Sequence, residues 1–198
     1  MSLYNIQSTR KSTPLFEGEF ASFQDCLEAA VQENRNLEYA DLRLKNLRGI
    51  NLDDARLTHA DLSGANLTGA NLSEARLLGA NFTNAALFDA CFAYSDLQHC
   101  IFEYSHFGGT DITGSNISFS HFAGISCYSL DFINASSMRG CTFKNAQGHT
   151  LKTSEPPVVI LGLKHSPIVF THEKIGSCAQ RSNQSHSRLN CDETTAMT

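Results

Sequence analysis

Large apolar side chains recur at every fifth position of this chain: Leu at 37, 42, 47, 52, 57, 62, 67, 72 and 77, then Phe82, Leu87, Phe92, Leu97, Phe102, Phe107, Ile112, Ile117, Phe122, Cys127 and Phe132. Nineteen of these twenty centres are Leu, Ile or Phe. Two residues before each centre runs a column of small side chains, Ala40 and Ala55 through Ala90, then Ser95, Cys100, Ser105, Thr110, Ser115 and Ser120. The residue just before the centre is often Asn or Asp, whose short side chains bond nearby backbone and favour tight corners. A helix repeats at 3.6 residues and a strand at two, so a strict period of five fits neither. The spacing predicts a corner every five residues, one large side chain pointing inward from each face, and four faces to a twenty-residue coil. The architecture expected is an all-β solenoid of about five coils, at roughly 4.8 Å per coil a rod on the order of 24 Å tall.

The pattern breaks at both ends. Phe132 to Met138 is a six-residue step, which predicts a bulge or loop, and nothing periodic follows Ala146. Before the repeats, Ser22 can cap a helix over 23–33 with Phe23, Cys26, Leu27, Ala30 and Val31 on one face, read as a lid on the first coil. The expected domains are an N-terminal arm and capping helix (1–35), the repeat region (36–146), a loop with short β-segments (147–178) and a polar flexible tail (179–198). The β-segments, 158–163 and 167–170, are read as an end cap or as a homodimer contact through 158–170.

Composition narrows the chemistry. Hydrophobic residues make up 41% and charged residues 18%, too apolar for wholesale disorder, and the formal charge of −5 lacks the basic footprint of a general nucleic-acid binder. No apolar run suits a signal peptide or a membrane span, so a cytoplasmic location away from the membrane is expected. Seven cysteines without a paired CxxC array read as reduced, partly buried thiols. His59 and His99 fall two coils apart, and no third ligand joins His106 and His121, so no metal or cofactor site is expected. Cys91 has no His in register to activate it, and the adjacent Asp53 and Asp54 lack an enclosing pocket. An enzyme is not expected. The better leads are outward aromatics and carboxylates of the second half: Phe88, Asp89, Tyr94, Asp96, Glu103, Tyr104, Asp111, Phe119 and Tyr128. An aromatic, mildly acidic patch of this kind suits binding to an as yet unidentified protein.

The runs YADLRLKNLRGINLDDA and ADLSGANLTGANLSEARLLGANF resemble the pentapeptide-repeat family, whose consensus is A(D/N)LXX. The resemblance covers about 110 of the 198 residues and implies a right-handed quadrilateral β-helix. For function it implies two readings. One is a protein-binding or scaffolding surface. The alternative is the role of members that mimic B-form DNA, bind DNA gyrase or topoisomerase IV as dimers, and protect against quinolones or toxins. Residues 37–146 carry eleven acidic and seven basic side chains, a mild −4 for such a mimic, and none of the basic ones lies between Arg76 and Arg139. The segments FEGEFASFQDCLEAAV and VVILGLKHSPIVF are similar to the flanks of a phage- and bacterium-associated subgroup.

Overall fold

Two residues past each centre from Leu37 to Phe122 the backbone enters the left-handed region, with φ of 61° at Tyr39, 57° at Leu44, 67° at Gly49, 54° at Asp54 and 62° at Phe119. The following small residue donates its N–H back to the centre's carbonyl, Ala40 to Leu37 at 3.0 Å and Ala60 to Leu57 at 3.0 Å. A positive φ at the third residue of a four-residue turn closed by such a bond is the type II arrangement. The Asn and Asp column reinforces it. Oδ1 of Asn36, Asp61, Asn71 and Asp111 each accepts the N–H two residues on, at 3.0, 3.0, 3.1 and 2.9 Å.

Between turns the chain bonds to the layer twenty residues away. Leu37 N–H donates to Arg56 O at 2.9 Å, Tyr39 N–H to Thr58 O at 3.0 Å, and Asp61 N–H to Ala40 O at 2.9 Å. Single parallel bridges join Asn36 to Arg56, Arg56 to Arg76, Arg76 to Asp96 and Asp96 to Asn116. Residues twenty apart therefore share a column.

The computed structural model describes residues 1–144, 150–156, 158–160, 168–171 and 174–177. Strands β1 (Ser2–Ile6) and β2 (Phe16–Phe20) form an antiparallel pair, followed by helix α1 (Phe23–Gln32). Strands β3 (Ile101–Glu103), β4 (His121–Ala123), β5 (Cys141–Lys144) and β6 (Thr150–Thr153) make a second sheet in that order, parallel except for the antiparallel β5–β6 pair. Strands β7 (Val158–Ile160), β8 (Ile168–Thr171) and β9 (Lys174–Ser177) form an antiparallel third sheet.

This topology corrects the closed, right-handed quadrilateral β-helix and the all-β solenoid expected from the period. The described strands lie in open two-, four- and three-stranded sheets beside a single short α-helix, and most layers meet only through isolated bridges. The cause is local. A left-handed residue at every fifth position interrupts the extended backbone before a strand can grow. The period marks where the chain turns, but does not make the segments between turns into continuous strands.

The one-residue insertion lies near Phe132. Tyr94 and Tyr104 N–H donate to the oxygens nineteen residues ahead, Thr113 and Ala123, whereas Gly114 N–H reaches Asn134 O, twenty ahead. A 3-10 turn at Phe132–Asn134 absorbs the extra residue, and downstream pairs such as Phe122 with Phe143 are offset by twenty-one. The stretch expected as a loop from 147 to 157 contains β6, while the tail from 179, and residues 161–163 and 167 of the β-segments, lie outside the described residues.

The first layer has no layer before it, so its outward donors need other partners. Asp41 N–H donates to Gln7 O at 2.9 Å, and Asn51 N–H to Glu28 Oε1 of α1 at 2.8 Å. Ser22 caps α1 by accepting the Asp25 N–H at 3.1 Å. Cys26, Leu27 and Ala30 of α1, with Ile6 and Phe16 of the hairpin, are buried over the layer that holds Ile50. The hairpin was not anticipated from the sequence.

All twenty centres are buried, Cys127 included. One column changes from Leu42 and Leu62 to four stacked rings: Phe82–Phe102 at 5.0 Å, Phe102–Phe122 at 5.1 Å and Phe122–Phe143 at 5.2 Å, all within 14° of parallel. In the small column of the second half, buried hydroxyls donate to backbone carbonyls, Ser105 to Phe82 O at 2.7 Å and Ser120 to Leu97 O at 2.6 Å. No buried side-chain nitrogen or oxygen is left without a partner among the described residues, so the change from Ala to Ser costs the core little desolvation.

Candidate functional site

The centres and the small column are consumed by the core, so recognition falls to the outward columns. Their geometry follows one rule that the sequence reading missed. A large side chain at a left-handed position lies over the residue twenty further on, or twenty-one across the insertion, and that residue is often glycine. A Cβ on Gly79 would fall 2.4 Å from the His59 ring, one on Gly114 2.5 Å from Tyr94, and one on Gly140 2.9 Å from Phe119. The signal was present as glycines twenty residues after aromatics.

Phe88, Tyr94 and Tyr104 are 42%, 68% and 55% exposed, as an interaction surface requires. Phe119 is only half-buried to the same end, because its ring stacks on His99 at 5.0 Å and covers Gly140. Tyr128 turns inward and stacks on buried Phe143 at 6.2 Å. The nine candidates do not form one patch. Phe88, Asp89 and Asp111 share an edge, where Cys91 bridges to Asp111 and the Asp89 carboxylate lies over Gly109. Tyr94 and Asp96 stand on the next edge. Glu103 and Tyr104 stand on another, and Phe119 on the remaining one.

The Phe88 ring leans over Gly108 and stacks on His106 at 6.1 Å, which holds it in place at the surface. Thr113 N–H donates to Asp111 Oδ1, leaving the rest of that carboxylate to solvent. The four described histidines are engaged with rings or hydroxyls: His59 with Tyr39 at 5.0 Å, His99 with Phe119, His106 with Phe88, and His121 Nδ1 with Thr142 Oγ1. Among the described residues no group of three or more His, Cys, Asp or Glu could hold a metal ion. No helix among them is long and apolar enough to cross a membrane.

Thiol chemistry is suppressed in the core. Burial pushes the Cys26 and Cys100 thiols up from their ordinary value, and Cys141 up to about 11. Only Cys91 of the described cysteines is part-exposed. At the first layers, Arg43 donates to Asp41 through Nε at 2.8 Å and Nη2 at 2.6 Å, and the guanidinium holds that carboxyl below its usual range. This pair lines a cleft of about 540 Å³ with Asn5, Phe23, Lys45 and Asn84.

The Pentapeptide repeats family pattern matches residues 36–69, 61–103 and 90–126, in eight copies. The chain belongs to the pentapeptide-repeat family. Members of that family are generally non-catalytic and act through protein–protein interaction. Solved structures resemble this chain as well. Rfr23, a pentapeptide repeat protein from the cyanobacterium Cyanothece 51142, is 31% identical over 40% of this chain and 55% of its own, with a TM-score of 0.33. A pentapeptide repeat protein from the Arabidopsis thaliana thylakoid lumen is 24% identical over 63% of this chain and 68% of its own, with a TM-score of 0.34. QnrB1, a plasmid-mediated fluoroquinolone resistance protein, is 20% identical over 54% of this chain and 61% of its own, with a TM-score of 0.25. The match to Rfr23 thus spans about half of that protein's length. No curated protein matches the chain.

Proposed function

We propose that this pentapeptide-repeat protein binds a protein with a basic docking surface, and that the contact centres on the edge carrying Phe88, Asp89 and Asp111. One combination carries the reading: an exposed ring beside two exposed carboxylates, in a stretch from Arg76 to Arg139 that contains no other Lys or Arg. An aromatic anchor supplies contact area at little conformational cost, and carboxylates without neighbouring cations favour a partner of opposite charge. Tyr94 with Asp96, and Tyr104 with Glu103, extend the surface for a partner that reaches around the stack. Phe119 and Tyr128 serve the stack itself.

The test is capture of the partner by the full chain and by a variant carrying Phe88→Ser, Asp89→Asn and Asp111→Asn. Asn tolerates the left-handed backbone at 89 and keeps the side-chain oxygen that accepts the Thr113 N–H at 111, so the variant should fold. It should lose the partner. A folded variant that retains it at wild-type level would refute the assignment of this edge.

The same cation-free run of carboxylates favours a second reading, in which the basic surface belongs to DNA gyrase or topoisomerase IV and the phenotype is that of QnrB1, fluoroquinolone resistance. A supercoiling assay with and without a fluoroquinolone separates the two. Protection of the enzyme by the wild type but not by the triple variant supports the topoisomerase; no effect at micromolar protein excludes it and leaves another basic partner.

A further inference from the structure

Two outward columns that meet along one edge of the stack carry opposite charge. The first holds Asp54, Glu74 and Tyr94, all at left-handed positions with φ of 54°, 56° and 60°. The second holds Arg56, Arg76 and Asp96, joined layer to layer by parallel bridges. Asp54, Arg56, Glu74, Arg76 and Tyr94 are exposed, and none of these charged groups forms an ion pair among the described residues. An acidic stripe thus runs beside a basic stripe with the spacing of the layers, both unsatisfied.

We propose that this edge is a self-association surface, and that its occupant is the same edge of a second copy. Symmetry selects the arrangement. A twofold axis parallel to the stacking direction keeps the layers level and exchanges the columns. It brings Asp54 of one protomer to Arg56 of its partner, Glu74 to Arg76, and the Tyr94 hydroxyl to the Asp96 carboxylate, each contact occurring twice. A twofold across the stacking direction would instead set acid against acid and base against base. The charge pattern admits the first and opposes the second. The column beside the acidic stripe runs from Asp53 into the small side chains Ser73, Ala93 and Thr113, which let two copies approach over the later layers. A stable interface buries about 800 Å² per partner, more than two columns offer, so the association is reversible and dependent on protein concentration. Exposed charges are screened beyond about 10 Å at 0.1 M salt, so it is also dependent on ionic strength.

This surface shares Tyr94 and Asp96 with the extension of the partner surface but not the edge carrying Phe88 and Asp111, and the two sets of substitutions have no position in common, so the two readings are tested separately. The experiment is sedimentation equilibrium of the full chain at low and high salt, with two charge-reversed variants. Arg56→Glu with Arg76→Glu makes both stripes acidic, and Asp54→Lys with Glu74→Lys makes both basic. All four positions are exposed, so unchanged circular dichroism and melting should accompany each variant. The wild type should dimerise in low salt and dissociate in high salt. Each variant alone should bind itself at least about tenfold more weakly, and an equimolar mixture of the two should restore the dimer. A wild type monomeric at low salt, variants that dimerise as the wild type does, or a mixture that stays monomeric would each overturn the proposal.

Discussion

Phe102 gives the sharpest test of what holds the layers together. Its ring lies between Phe82 and Phe122 at 5.0 and 5.1 Å, nearly parallel to both, and 5.7 Å from Phe107. It is 2% exposed. Phe102→Ala would empty a site whose walls cannot close, because backbone bonds such as Phe82 N–H to Ile101 O and Tyr104 N–H to Ala123 O, both 2.8 Å, fix the distance between layers. Removal of a buried Phe with little collapse costs about 4 kcal/mol, the lost stacking included. In a chain of this size each kcal/mol moves Tm by about 2–4 °C, so Tm should fall by about 10 °C. The assay is urea unfolding followed by circular dichroism, in which the midpoint should fall with the slope unchanged. Tyr104→Ala is the control: it removes an aromatic ring only two residues away, but one that is 55% exposed, and should change stability by less than about 0.5 kcal/mol. Equal losses for the two variants would refute the claim that cohesion resides in the inward column.

Three further outcomes follow from the same geometry. Gly69 has φ of 69° and nothing within 4 Å of a Cβ built on it, so Gly69→Val carries only the backbone penalty and should cost about 1–2 kcal/mol by chemical denaturation, while Gly69→Asn should cost much less. Ser105→Ala removes a buried hydroxyl that donates to Phe82 O at 2.7 Å, and should cost about 1 kcal/mol in the same measurement. Cys141 should make stability fall at alkaline pH. Its thiol ionises near 9.0 in the unfolded chain but at about 11 when buried, so between those values the folded state binds more protons and stability drops as pH rises. Below pH 9 the contribution is fully present, and Cys141→Ala should flatten the pH dependence of the unfolding midpoint between 9 and 11.

The centre column could be read from the sequence because burial selects side-chain type directly: Leu62, Phe102 and Ile117 have no other place to go. The same argument recovered α1, whose buried Cys26, Leu27 and Ala30 lie three and four residues apart. What period alone does not encode is the conformation between turns, and there the expectation of a closed β-helix failed. Tyr39, Leu44 and Tyr94 occupy left-handed backbone that their side chains disfavour, so local propensity hid the rule that glycines at 49, 64, 69 and 79 display. The N-terminal hairpin was missed for a different reason. In β1 and β2 only Ile6 and Phe16 are fully buried, too few to impose an alternation.

The candidate site was hardest to foresee, since an outward side chain is constrained by its neighbours in the column rather than by the core. Phe88 and Tyr128 hold equivalent positions forty residues, two layers, apart, yet the first is exposed over Gly108 and the second turns onto Phe143. The difference lies in the layer beyond each. Regular backbone with a glycine receives Phe88, whereas Tyr128 sits in a 3-10 segment at Ile125–Ser129, beside buried aromatic surface. Recognition in such a stack is therefore set by pairs of positions, a side chain and what lies one layer on. A search of a single sequence for function should score those pairs, because an aromatic followed twenty residues later by glycine is laid across the next layer, while one followed by a second ring, as His99 is by Phe119, is spent on stacking.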